Sequence, residues 1–401
     1  MKILFLTLGR MNDIDEKGIY TDLLRCFRNH GHQVYVVSAL ERREKKKTEY
    51  IEEKGIHILK VKIGNIKKCG VIEKGISTVL IEGQFKKAIQ KYMSCVKFDM
   101  VMYSTPPITF VNVVRYIKKR DNALCYLLLK DIFPQNAVDL GMLTKRGVKG
   151  LIYGYFRRKE KELYRISDKI GCMSQANVEY VKRHNPNIKK DKIENCPNCI
   201  EVQHNYLFKK EKNKLRSKYK IPLDKTVFVY GGNLGKPQGI NFLLKCLLKL
   251  KKREDIFFCI VGDGTEYKKI KNFLYREKLQ NVRLIKRLPK EDYEKMICSC
   301  DIGMIFLDNR FTIPNFPSRI LSYMQAKIPV LAVTDSNTDI GKVILDGQFG
   351  WWCESNNADS VASTVNHIMN NPRLVNEYGE NAFKYLVDNY TVENAYSIIM
   401  K

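Results

Sequence analysis

The residues with most to offer chemically stand where apolar runs end. Thr226 to Asn241 reads TVFVYGGNLGKPQGIN. Its apolar start, Val227 to Tyr230, is β-branched and aromatic and predicts a buried strand. Gly231 and Gly232 break that strand. Asn233, Lys236, Gln238 and Gly239 follow, and helical apolar spacing starts at Phe242. Strand, glycine-rich turn and helix is the geometry in which backbone N–H groups and a helix N-terminus face one anion. Glycine lets the backbone approach a phosphate closely. Lys236 adds a mobile cation, and the amides of Asn233 and Gln238 can donate to sugar or phosphate oxygens. The plainer alternative is a βα turn that simply requires glycine.

Other candidates occupy similar places. Ala123 to Leu129 predicts a strand that delivers Lys130 and Asp131 to its end. Asp131 suits a carboxylate near a reacting centre, or the N-cap of a following helix. Lys130 suits neutralisation of an acceptor phosphate, or plain surface charge. Pro317, Ser318 and Arg319 open a predicted helix; Ser318 caps it or leaves its N–H to a phosphate. Arg287 follows a strand at Val282 to Ile285. Asp13-Ile14-Asp15 has the spacing of a metal pair but reads as solvated loop. The histidines, His30, His32, His57, His184, His204 and His367, read as structural or surface, with no metal-ligand partner on one predicted face. The 12 cysteines are scattered, several inside apolar runs, and read as reduced core residues of a cytosolic protein. Cys196-Pro-Asn-Cys199 lacks a second pair, so zinc is not expected there.

The charge is uneven. Of the net +27, residues 1–200 hold +18, residues 201–300 hold +13 and residues 301–401 hold −4. Such a basic face favours anionic partners, whether a phosphorylated substrate, an anionic membrane or nucleic acid, unless the lysines are merely solvated. Nucleic acid is disfavoured, because aromatics are not interleaved on a basic strand and no motif appears. The first strand begins at Lys2, with no signal peptide before it, and no apolar run reaches the length of a membrane span.

Positioning these residues requires a repeated architecture. Ile3–Leu8, a helix from Ile19, and His32–Val37 form a βαβ unit, which predicts parallel strands. Arg42–Lys54 reads as a charged segment, Ile56–Val61 as an exposed or edge strand and Ile72–Met93 as mainly helix. Phe98–Tyr103, Ala123–Leu129 and Lys169–Met173 are further strands, with a basic helix at Leu151–Ile166. A second series has strands at Val227–Tyr230, Ile256–Val261, Val282–Ile285, Ile302–Phe306 and Ile328–Val333. The expectation is two doubly wound α/β domains, and open sheets of this kind bind ligands beyond their C-terminal strand edges. Residues 1–190 and 191–374 make the two domains, and the helical stretch 375–401 packs back on the first.

These motifs together resemble glycosyltransferase family 4, of the GT-B fold. Asn29-His30-Gly31-His32-Gln33-Val34, after the loop with Gly18, is similar to the family's "RGHEV" opening. Lys130-Asp131-Ile132-Phe133-Pro134-Gln135 through Gly141 resembles the "RDIFPQ.AVDLG" segment of members that build bacterial capsule, O-antigen and colanic acid. Tyr230–Gly239 resembles "GN.GK.QG", Gly262-Asp263-Gly264 the "GDG" strand end, and Phe316–Val330 the "PSKLLEYMAAGKPV" segment. Ser322 stands where the family's ribose-binding glutamate usually stands, and Pro314 replaces the glutamate eight residues before it.

The resemblance implies retaining transfer of a sugar, from a UDP-sugar, to a polyprenyl-diphosphate-linked glycan. The protein would work in the cytoplasm, peripherally on an anionic inner membrane face. No cofactor or metal is expected, because amides, Lys and Arg can stabilise the leaving diphosphate. The implied donor site is Gly231, Gly232, Asn233, Lys236, Gln238, Gly262, Arg287, Pro317, Ser318, Arg319 and Ser322. Asp131 and Lys130 are the implied catalytic residues, with Gly18 and Lys130 toward the acceptor. The alternatives are a nucleotide-sugar epimerase of the same fold, an inactive or partner-dependent member, and, remotely, a nucleic-acid-binding protein.

Overall fold

A computed structural model describes residues 1–11, 13–66, 69–203 and 208–401. The chain folds into two compact units, Met1–Glu201 with Val392–Lys401, and Val202–Thr391.

The first unit runs β1 (Lys2–Leu6), α1 (Ile19–Asn29), β2 (Gln33–Glu41), β3 (Glu49–Glu53), β4 (Ile56–Ile63), α2 (Val71–Tyr92), β5 (Met100–Ser104), α3 (Val111–Asp121), β6 (Leu124–Leu129), α4 (Gln135–Asp139), α5 (Gly147–Ile166), β7 (Lys169–Cys172), α6 (Gln175–His184) and β8 (Ile193–Asn195). Its sheet has the order β3-β4-β2-β1-β5-β6-β7-β8. All neighbours are parallel except β3 with β4. Strands such as β1 and β5 are apolar along their length because helices cover both faces.

The second unit runs α7 (Lys209–Lys218), β9 (Thr226–Asn233), α8 (Ile240–Lys249), β10 (Ile256–Asp263), α9 (Tyr267–Glu277), β11 (Val282–Lys286), α10 (Lys290–Ile297), β12 (Ile302–Phe306), α11 (Arg319–Gln325), β13 (Val330–Thr334), α12 (Ile340–Asp346), β14 (Gly350–Glu354), α13 (Ala358–Asn370) and α14 (Pro372–Asn389). Its sheet is parallel throughout, in the order β11-β10-β9-β12-β13-β14. The chain then returns to the first unit as α15 (Val392–Ile399). Val392, Ala395 and Ile399 of α15 are buried against Leu23, Cys26 and Phe27 of α1. Each of the larger apolar side chains contributes up to about 1.5–3 kcal/mol by burial.

Four expectations need correction. β4 is not an edge: β3, inside the segment read only as charged, pairs outside it. The alternating EYIEE of β3 exposes Tyr50 and Glu52, so its strand signal was masked by charge. β14, GWWCE, was not anticipated. The first unit extends past residue 190, because β8 completes its sheet. The returning segment starts at Val392 rather than 375: α14 stays on the second unit, where a Cβ on Gly379 would lie 2.3 Å from the Lys327 carbonyl oxygen.

Candidate functional site

Parallel β-strands run to one edge, and the turns there carry the candidate residues. In the second unit β9 ends the central ladder. Gly231 has no room for a side chain: a Cβ there would lie 1.8 Å from Tyr293 Oη. Its N–H donates to Tyr323 Oη at 3.2 Å, and Tyr323 donates onward to the Met304 carbonyl at 3.1 Å. Gly232 has φ +123°, a region that excludes other residues. Gly262 ends β10 beside it, where a Cβ would meet the Gly232 carbonyl oxygen at 1.9 Å. Gly264 fits under Leu234 in the same way, at 2.3 Å from its carbonyl oxygen. Main chain thus packs directly on main chain, which is how a turn comes close enough to offer amides to a ligand.

Arg319 opens α11 beneath this turn. Its guanidinium lies 4.5 Å from the Tyr230 ring centroid, and a Cβ on Gly232 would lie 3.6 Å from it. It has no carboxylate partner among the described residues, and its Nη1 is buried without a hydrogen bond. An unsatisfied buried donor of this kind costs about 1–3 kcal/mol, more for a charged group. An anion beside Gly232 would recover that cost. Lys236 is exposed on the short turn Lys236–Gln238 and makes no ion pair among the described residues.

The other predicted donor residues are more dispersed. Asn233 Nδ2 and the Gly235 N–H both donate to Gln238 Oε1, at 3.0 and 3.1 Å. Gln238 therefore braces the loop with its oxygen, an internal use that the sequence did not announce. Pro317 is half-buried and Ser318 exposed ahead of α11. The Ser318 hydroxyl makes no capping bond, so it is not a plain N-cap. Ser322 is half-buried, one turn after Ser318. Arg287 is exposed after β11, two strands along from β9.

In the first unit the edge centres on Thr105. Its hydroxyl accepts from the Lys130 N–H at 3.0 Å and the Asp131 N–H at 3.3 Å, so β5 and β6 share one knot at their ends. Asp131 is not an N-cap, because α4 begins only at Gln135, with Pro134 ahead of it. Asn136 Nδ2 instead donates to both Asp131 carboxylate oxygens at 2.8 Å. Burial pushes the Asp131 pKa up to about 6, against the pull of the Asn136 amide and the Ile132 backbone N–H. Lys130 lines a small cavity with Tyr20, Asn198 and Cys199. Gly18 lies ahead of α1, but its N–H is already taken by Asp22 Oδ1 at 2.8 Å. Asp22 also holds Arg25 at 2.7 Å, and Arg25 reaches Glu201 at 2.8 Å. The Gly18 amide is therefore structural, not free for an acceptor.

Sequence reasoning missed Tyr293, Tyr323, Thr105 and Asn136 as positioning residues. Tyr323 stands four residues after Arg319 on one helix, a spacing that signals a shared face. It also passed over Cys26 in the last turn of α1 and His30 at its C-cap, which meet Glu393, so those histidines are not all isolated from ligating partners. His204, by contrast, lies outside the described residues. Asp13 accepts from the Asp15 N–H at 2.8 Å and Asp15 pairs with Lys54, so the Asp13-Asp15 pair is a local turn and ion pair.

Comparison with known proteins agrees with this architecture. Residues 211–385 match the family model described as "Glycosyl transferases group 1". "Probable glycosyltransferase WbjE" of Pseudomonas aeruginosa is 24% identical over 282 residues, 67% of this chain and 66% of that protein. The match thus spans just under two thirds of that relative's length. Among solved structures, sucrose-phosphate synthase from Thermosynechococcus elongatus superposes with a TM-score of 0.77 at 14% identity, over 100% of this chain and 98% of that one. Anabaena HepE in complex with UDP-glucose gives 0.72 at 14% identity, over 100% and 98%. The chain is a two-domain α/β protein of the GT-B fold that resembles the bacterial glycosyltransferases of that fold.

Proposed function

We propose that the chain is a retaining glycosyltransferase that moves a sugar from a UDP-sugar to a lipid-diphosphate-linked glycan during assembly of a bacterial surface polysaccharide. The observation that carries this reading is Arg319, a half-buried guanidinium whose Nη1 has no hydrogen bond, set beside Gly232 at the end of β9. That arrangement suits a diphosphate whose charge grows as the sugar departs. The nucleotide-sugar complexes of HepE, which has the same fold, support a UDP-linked donor. The likeness of Lys130–Gly141 to surface-polysaccharide members supports the acceptor class.

In this reading the Gly231–Gly235 turn, Lys236 and Arg319 hold the diphosphate, and Gly262 keeps the neighbouring strand end close. Asp131 is the candidate carboxylate for the reacting hydroxyl and Lys130 the candidate cation for the acceptor phosphates. The donor phosphate itself assists the incoming hydroxyl, so transfer needs no metal. Peripheral membrane binding is supported by Val148, Leu151 and Ile152 of α5, which are exposed beside Lys145, Arg146 and Lys149. Ile76, Val79 and Leu80 of α2 are also exposed, whereas Ile81 and Phe85 belong to the core. Lys67 and Lys68, which precede α2 in the sequence, lie outside the described residues.

The test is incubation of the chain with UDP-sugars and a polyprenyl-diphosphate glycan, with UDP release and product anomer followed by NMR. Retained configuration and UDP release that needs acceptor support the reading. Epimerised free donor, with no glycan extended, contradicts it.

A further inference from the structure

Away from both strand edges, the last turn of α1 meets the first turn of α15 at a group of ligating side chains. Cys26 lies in the last turn of α1, and His30, four residues on, caps that helix at its C-terminus. Glu393 reaches them from α15. Cys26 Sγ lies 3.5 Å from Glu393 Oε1, and His30 Nε2 lies 3.4 Å from Glu393 Oε2. Cys26 Sγ is 3.7 Å from His30 Nδ1. One ligand atom from each residue can be chosen so that all lie within 4.8 Å of one another. Tetrahedral zinc, with bonds of about 2.0–2.3 Å, needs ligand atoms roughly 3.3–3.8 Å apart. The separations toward Glu393 fall in that range, Cys26 to one carboxylate oxygen and His30 to the other.

The surroundings prepare the imidazole as a ligand. His30 Nδ1 lies 2.9 Å from the Cys26 carbonyl oxygen. With the proton on Nδ1 donating there, Nε2 keeps its lone pair, the second-sphere arrangement that orients metal-bound histidine. Tyr396 stacks on the ring with centroids 3.9 Å apart and planes at 20°, which holds its orientation. Cys26 is buried, while His30 and Glu393 are exposed. An ion can therefore enter from solvent and reach an inner sulfur.

We propose that Cys26, His30 and Glu393 form a binding site for a zinc-class divalent ion, completed by water, that clamps α15 onto α1. Thiolate, imidazole and carboxylate together favour zinc over magnesium or calcium. Binding releases the Cys26 thiol proton to solvent, and the thiolate and carboxylate then balance the ion's two charges. The role is structural: the returning helix brings Val392, Ala395 and Ile399 into the first unit's core, and the ion fastens its first turn. The site is separate from the proposed transfer chemistry and stands or falls without it.

The test uses the full-length chain, reduced and stripped with chelator, then titrated with Co²⁺. The expected result is one equivalent bound with a thiolate-to-cobalt charge-transfer band, displaced by Zn²⁺. Cys26→Ser should remove the band. His30→Gln and Glu393→Gln, at exposed side chains, should each weaken binding at least about tenfold. Zn²⁺ should raise the melting temperature and slow amide exchange over residues 392–400 in the wild type but not in His30→Gln. If Cys26→Ser fails to fold, the His30→Gln comparison decides. No charge-transfer band in the wild type, or the same affinity in His30→Gln, overturns the site and leaves the three side chains as a hydrogen-bonded cluster.

Discussion

The two sheet edges handle their polar groups in opposite ways. At the second unit's edge, main chain packs on main chain, and a Cβ on Gly231, Gly262 or Gly264 would come within 2.3 Å of a neighbour. There Arg319 keeps a donor unspent. At the first unit's edge the polar groups are spent on each other: Thr105 ties two strand ends together, and Asn136 engages both oxygens of Asp131. The one edge presents two cations, Arg319 and Lys236, with no carboxylate partner among the described residues, the design of an anion receptor. The other holds a carboxyl whose affinity for its proton is raised by burial, the design of a group that changes charge near neutral pH.

The contrast is broken most severely through the glycines. Gly262→Ala forces a methyl into the Gly232 carbonyl and should destabilise the second unit by about 3 kcal/mol or more, at the upper end for overpacking. Gly154→Ala, on α5 in open space, should instead be neutral or stabilise by up to about 1 kcal/mol. Urea unfolding of both variants checks the pair. Equal effects would mean that the second edge is not tightly built.

Arg319→Ala and Lys236→Ala should each weaken UDP binding by about 1.5–3 kcal/mol, the range for hydrogen bonds to charged groups. Asp131→Asn should leave that affinity unchanged. Calorimetry that shows loss with Asp131→Asn and none with Arg319→Ala would reverse the assignment of the edges.

Asp131 also makes a pH prediction. Between roughly pH 4 and pH 6 the unfolded chain releases this proton while the folded chain keeps it. Stability therefore falls as pH rises through that window, and the penalty persists above it. Asp131→Asn, which cannot ionise, should melt higher than wild type at pH 8, by the equivalent of about 1–2 kcal/mol, and lose the advantage by pH 4. If the ionised carboxylate takes part in transfer, the rate should rise with an apparent pKa near 6. A variant that melts lower than wild type at pH 8 would show that the Asn136 bonds outweigh burial.

The smallest effects concern the membrane. Each cation near an anionic surface adds about 1 kcal/mol. Lys149→Glu with Leu151→Ser should reduce flotation on anionic liposomes at low salt and leave UDP affinity intact. Equal flotation on neutral liposomes would remove the electrostatic part of the anchor.

Much of this was legible in the sequence, for local reasons. Apolar runs that end in glycine, as at Tyr230-Gly231 and Val261-Gly262, mark both the strand and the end that carries the proposed donor residues. α1 was readable from its apolar stripe and from Gly31 just beyond it. β3 was not, because its strand character lies in pairing with β4 rather than in its own composition. The use of Gln238 Oε1 as a brace, of the Gly18 N–H by Asp22, and of Asn136 by Asp131 depends on side-chain direction, which spacing alone does not give. The meeting of His30 with Glu393 requires the chain to return across 363 residues, and no local pattern announces that.

The central claim is that the edge at Gly232 and Arg319 is a diphosphate receptor, and a crystal structure of the chain with UDP tests it most directly. The diphosphate should lie against the Gly231–Gly235 turn, with an oxygen about 2.7–2.9 Å from an Arg319 guanidinium nitrogen. A diphosphate bound elsewhere on the chain, with Arg319 Nη1 still unpartnered, would contradict it.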